Sequence, residues 1–99
     1  MPKRIKQQPQ KPIKINLLEK VAAVHEGIIL TPWDMENGTS IQIGDEIVAS
    51  EYLNRREYAR WDAALKECIR EGLIEQRNRD QYVITNDGYN AVESQDITE

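Results

Sequence analysis

Ninety-nine residues, 39% of them hydrophobic and 30% charged, with a net charge of −4, describe one soluble globular domain with a modest core. No run approaches the length of a membrane span, and the start lacks the apolar stretch of a signal peptide, so a cytoplasmic chain without a membrane partner is expected. A single Cys68 allows no internal disulfide and no metal-ligand cluster, and no cofactor is called for.

Charge is unevenly spread. Residues 1–14 hold Lys3, Arg4, Lys6, Lys11 and Lys14 without an acid, so this arm is +5 and residues 15–99 are −9. Three prolines and three glutamines predict an extended arm or linker over 1–14, attached to a single domain over 15–99. Such an arm would touch phosphate or an acidic partner, whereas the body is repelled by polyanions.

The first predicted helix covers 16–26. Asn16 would cap it with Glu19 three residues on, Leu17, Leu18, Val21 and Val24 form its apolar stripe, and Gly27 closes it. His25 falls in its last turn and reads as a surface or capping residue, since no second His or Cys accompanies it. Ile28–Thr31 is a predicted strand, ended, bulged or confined to an edge by Pro32. Asn37-Gly38 is a hairpin turn signal, and Thr39–Ile43 alternates polar with apolar beyond it. Trp33 and Met35 lie near the loop end of this hairpin. Exposed, they would mark a contact patch; the expected alternative is that they cap the core. Gly44-Asp45 is a second turn, and residues 46–53 read equally as a short strand or a helical turn.

A long amphipathic helix follows. Tyr58, Trp61, Leu65, Cys68 and Ile69 recur at steps of three and four, Asn54 and Glu57 suit a capping box, and Gly72 suits the left-handed stop. Leu73–Glu75 and Tyr82–Thr85 are β-prone runs around the polar tip Arg77-Asn78-Arg79-Asp80. Thr85 is placed to cap a last helix carrying Tyr89 and Val92. The fold class is α+β: helix, β-hairpin, long helix, second β-hairpin, short C-terminal helix.

Ala59–Leu65, then Gly72-Leu73-Ile74-Glu75, then Thr85-Asn86-Asp87-Gly88-Tyr89, resemble the winged-helix domains of bacterial regulators. In that family a long helix ends at Gly-Leu-Ile, a hairpin wing follows, and Thr-x-x-Gly starts the closing helix. The resemblance covers 54–93, and helix 16–26 by position. The middle departs from it: a winged helix has a helix before its recognition helix, and here Gly38–Gly44 is hairpin-like. In this the chain is similar to the small winged-helix-like modules appended to larger bacterial proteins.

The resemblance implies a non-catalytic nucleic-acid-binding, regulator-like domain whose partner is double-stranded DNA. Opposite the apolar stripe of the long helix fall Arg56, Ala59, Arg60, Ala63, Glu67 and Arg70, three arginines around two small alanines that leave room for a phosphate backbone or groove edge. Arg77, Asn78 and Arg79 at the hairpin tip would be a second contact point. Glu67 interrupts the stripe, and residues 51–71 hold five cations and five anions, the pattern of a solvated face. The other reading is a protein-interaction or dimerisation module, a homodimer or part of a larger protein, contacting its partner through Trp33 and Met35. No glycine-rich phosphate loop, ligand spacing or nucleophile–base set points to an enzyme, and Cys68 on the apolar stripe reads as a small buried hydrophobe.

Overall fold

The helix-period stripe from Trp61 to Cys68 is the longest apolar pattern in the chain, and it becomes α2 (Arg55–Arg70). A computed structural model describes residues 12–97. Trp61, Ala64, Leu65 and Cys68 are buried, with Tyr58 and Ile69 half-buried at the margins, so the stripe is turned slightly from the expected one to take in Ala64. Asn54 Oδ1 accepts from the Glu57 backbone N–H at 3.1 Å. The return half of the box is replaced: the Asn54 N–H donates to the Ser50 carbonyl instead. At the other end, Gly72 takes φ 79°, and two bonds close the helix: Leu73 N–H to Cys68 O, and Gly72 N–H to Ile69 O. This is the Schellman arrangement that a left-handed glycine permits.

The first helix, α1 (Ile13–Ala23), starts three residues before the expected Asn16 cap and ends three before the expected residue 26. Tertiary contacts outweigh the local capping signal. Ile13 packs against the core, Lys14 pairs with α2, and the Asn16 N–H already donates to Pro12 O inside the helix. Ile13 and Lys14 therefore belong to the folded body rather than to the arm; the rest of the expected arm, up to residue 11, lies outside the described residues. His25 lies exposed in the turn beyond the helix. Leu17, Leu18 and Val21 are buried between α1, α2 and α3 (Asn86–Ile97).

The sheet has strands β1 (Ile28–Leu30), β2 (Trp33–Asp34), β3 (Gly38–Ile43), β4 (Glu46–Ser50), β5 (Ile74–Asn78) and β6 (Gln81–Ile84), all paired antiparallel. β1 and β2 share one register against β3, Ile29 opposite Ile43 and Trp33 opposite Thr39, so they form one strand interrupted at Thr31-Pro32. Proline has no N–H for the ladder, and the Thr31 N–H turns to Asp80 O on the other side. The ambiguous run 46–53 is β4 followed by a turn at 51–53.

Pairing of β1 with β6 joins the two hairpins into one sheet, with Ile29 opposite both Ile43 and Tyr82. Alternation then puts Ile29, Ile41, Ile43, Ile74 and Ile84 on the face covered by the helices, all of them buried. This is a small α+β domain with three helices among the described residues.

Gly88 is fixed by contact rather than by its backbone angle. A Cβ there would overlap the Leu73 carbonyl oxygen and meet Ile84 Cγ1 at 2.5 Å. Gly88→Ala should therefore cost about 1–3 kcal/mol through forced displacement of backbone. Trp61→Ala should cost about 3–5 kcal/mol by leaving a cavity in the core. Urea denaturation of both variants checks this, and an unchanged midpoint for either would contradict the packing described.

Candidate nucleic-acid interface

The side of α2 turned away from the core is a cationic strip with a low centre. Arg55, Arg56, Ala59, Arg60, Ala63, Lys66 and Arg70 are all exposed. Ala59 and Ala63 lie along its middle, four residues apart and one above the other. Arg60 approaches Glu57 at 3.7 Å, and Lys66 pairs with Asp62 at 3.0 Å, surface contacts worth little each. Arg56 and Arg70 make no ion pair among the described residues.

Two acids that reduce this charge in the sequence share one ammonium from across the helix interface, which offsets one of their two charges. Lys14 Nζ lies 2.6 Å from Glu71 and 3.2 Å from Glu67, bridging the start of α1 to the end of α2. Its ammonium is held above the usual lysine range, first by the Glu71 carboxylate and with a contribution from Glu67. Sequence reading missed this role, since it assigned Lys14 to the arm. The bridge spans one side of an open groove of about 480 Å³, whose apolar wall includes Leu18, Leu73 and Val92.

The second hairpin carries Arg77, Asn78 and Arg79, all exposed. Its turn is narrower than expected: Arg77 and Asn78 belong to β5, and only Arg79-Asp80 lie between the strands. Asn78 is occupied in building this turn. Its Oδ1 accepts from the Asp80 N–H at 3.1 Å, and its Nδ2 donates to Gln81 Oε1 at 3.1 Å. Arg77 and Arg79 make no ion pair among the described residues, and β5 places Arg77 about 10 Å along the strand from Ile74, with Arg79 in the turn beyond it.

Trp33 and Met35 do not cap the core. They are 61% and 83% exposed at the loop end of the first hairpin, because Pro32 breaks the strand and the buried sheet face ends at Ile41. Asp34 organises this loop, accepting from the N–H groups of Asn37 at 2.7 Å and Glu36 at 2.9 Å. These bonds, that of Asn37 foremost, hold its carboxyl below the ordinary aspartate value.

Cys68 is fully buried, and burial pushes its thiol up to about 11. Ser40 and Ser50 are buried, and Ser50 Oγ donates to Asn37 O. No family model matches the chain, and comparison with curated proteins and with solved structures finds no match.

At pH 8 such a thiol is ionised to about one part in a thousand, so the native protein should resist a disulfide reagent and react only on unfolding. The unfolded chain loses this proton first. Cys68 therefore adds to the loss of stability as pH rises from about 9, the ordinary thiol value, toward 11. Labelling of folded protein at the rate of a free thiol would contradict this placement.

Proposed function

We propose that the chain is a winged-helix-like nucleic-acid-binding domain of the regulator type, non-catalytic, in which α2 is the recognition helix and the β5–β6 hairpin is the wing. The observation that carries this is the outward face of α2. Arginines 56, 60 and 70 surround Ala59 and Ala63, while Lys14 draws Glu67 and Glu71 into ion pairs of their own. Small residues at the centre let the helix backbone approach a groove about 12 Å wide, and the arginines at the margins reach phosphate oxygens. Arg77 and Arg79 serve as a second phosphate contact from the wing tip.

The end of α2 at Gly72-Leu73-Ile74, the hairpin after it, and the cap at Thr85 with Gly88 N–H donating to Thr85 Oγ1 follow the resemblance in order. The hairpin β3–β4 stands where a winged helix has its second helix. Groove entry is therefore framed by strands and their turns, and positioning rests on phosphate contacts more than on base contacts.

A second reading is favoured by one observation, the exposure of Trp33 and Met35 on an ordered loop: an interaction or dimerisation module that binds no DNA.

With Lys14 counted in the folded body, residues 13–99 carry −8, so binding would be weak and local. Three helix arginines and two wing arginines imply a slope of log K against log salt of about −3 to −5. Arg56→Glu with Arg60→Glu should abolish binding to mixed duplex DNA at low ionic strength and leave the melting temperature within a few degrees, since both side chains point to solvent. A fluorescence titration of the full chain checks this. Absence of binding with the fold confirmed in the same sample would favour the interaction module.

A further inference from the structure

One long stretch of the described body carries charge of a single sign. Between Lys20 and Arg55 there is no Lys or Arg, while Glu26, Asp34, Glu36, Asp45, Glu46 and Glu51 all fall there. The first hairpin and its flanks are therefore purely acidic. The same segment holds all six exposed large hydrophobic side chains among the described residues, and four gather at one end: Trp33, Met35, Tyr52 (54% exposed) and Leu53 (75% exposed). Register and hydrogen bonds bring them there. Trp33 stands opposite Thr39, and Asp34 opposite Gly38. The Tyr52 ring covers Gly38, whose φ is 68° and where a Cβ would meet that ring at 2.8 Å.

This end is braced. Asn37 O accepts from the Tyr52 N–H at 3.0 Å and from Ser50 Oγ at 3.1 Å, the Glu51 N–H donates to Thr39 O at 2.9 Å, and Glu51 Oε1 accepts from the Thr39 N–H at 3.1 Å. Exposed aromatic surface on an ordered frame loses little conformational entropy when covered, which is the condition for a preorganised docking surface.

We propose that this acidic, aromatic hairpin end is a docking surface for a basic proline-containing segment, and that its occupant is the N-terminal arm of a second copy of this chain. The arm has the complementary chemistry. It carries Lys3, Arg4, Lys6 and Lys11 with no acid, Ile5 as an apolar anchor, and the spacing Pro9-Gln10-Lys11-Pro12. Segments with prolines at that spacing dock on aromatic surfaces in the extended polyproline form, at low entropic cost. Pro12 has φ −55° and ψ 147°, close to that form, where the chain enters α1.

Geometry favours the second copy over the arm's own body. Lys14 is tied to Glu67 and Glu71 at the C-terminal end of α2, while Leu53 and Asn54 stand at its N-terminal end, about 24 Å away for a helix of that length. Pro12 caps α1 beside Lys14, so the Pro9–Pro12 segment, about 10 Å long even when extended, falls short of the hairpin of its own chain. Reciprocal exchange of arms between two copies closes a two-fold dimer without that constraint. The surface is distinct from the α2 face and does not depend on nucleic-acid binding.

Sedimentation equilibrium of the full chain at low salt should show a monomer–dimer equilibrium that weakens as salt is raised. Replacing Lys3, Arg4 and Lys6 together by Glu should weaken it about tenfold or more, as should Trp33→Ser with Met35→Ser, both with the thermal midpoint retained. A chain carrying the acidic arm should pair again with one carrying Glu36→Lys. A monomer under all conditions, or a dimer indifferent to arm reversal, overturns the proposal. A monomer whose Trp33 indole resonance still moves on arm reversal places the arm on its own body and overturns it equally.

Discussion

The fold depends on one junction, where the end of α2, the root of the second hairpin and the start of α3 meet. Gly72 turns the chain in the left-handed region, which sends Leu73 N–H back to Cys68 O. Thr85 then closes the junction from the other side. Its N–H donates to Leu73 O, its Oγ1 donates to Gly72 O at 2.7 Å, and the same Oγ1 accepts from the Gly88 N–H at 3.1 Å. One hydroxyl thus satisfies a carbonyl left over at the end of one helix and an N–H left over at the start of another. Gly88 is required because α3 approaches the Leu73 carbonyl too closely for a side chain.

From this junction the rest follows mechanically. Ile74 and Ile84 are delivered to the core as a cross-strand pair, and β6 is placed to accept β1 along Ile28–Leu30. The second hairpin is therefore an integral strand pair of the sheet, with its turn at Arg79-Asp80 projecting from it. α1 crosses α2 and α3, and Lys14 bridges the two carboxylates at the far end of α2. The bridge is partly exposed, and its effect on stability is small. Electrostatically it offsets one of the two carboxylate charges at that end of α2.

Charge is sorted by element to a degree that the total conceals. Cations lie at residues 3–11, on α1, on α2 and at the tip of the second hairpin, and the first hairpin is acidic throughout. The same sorting sets the basic arm and the acidic aromatic hairpin end apart as complementary surfaces on one chain.

The sequence by itself determined the local elements whose signals are strong and self-contained. The period of Trp61, Leu65 and Cys68, the cap at Asn54, the stop at Gly72 and the Thr85–Gly88 start all lie within a few residues of the groups they satisfy, so local chemistry suffices to read them. The exposed positions of Arg56, Arg60 and Arg70 follow from the same period. Tertiary structure alone decided the remainder. The start of α1 moved to Ile13 because a core contact and an ion pair to α2 outweigh an Asn cap. The ambiguous run after Gly44 became a strand because β3 offered it a partner. Trp33 was turned to solvent because Pro32 interrupts its strand where the covered face of the sheet ends. The union of the two hairpins through β1 and β6 links residues more than fifty positions apart, and no local pattern encodes such a pairing; it exists because each strand has an unfilled ladder that only the other can complete.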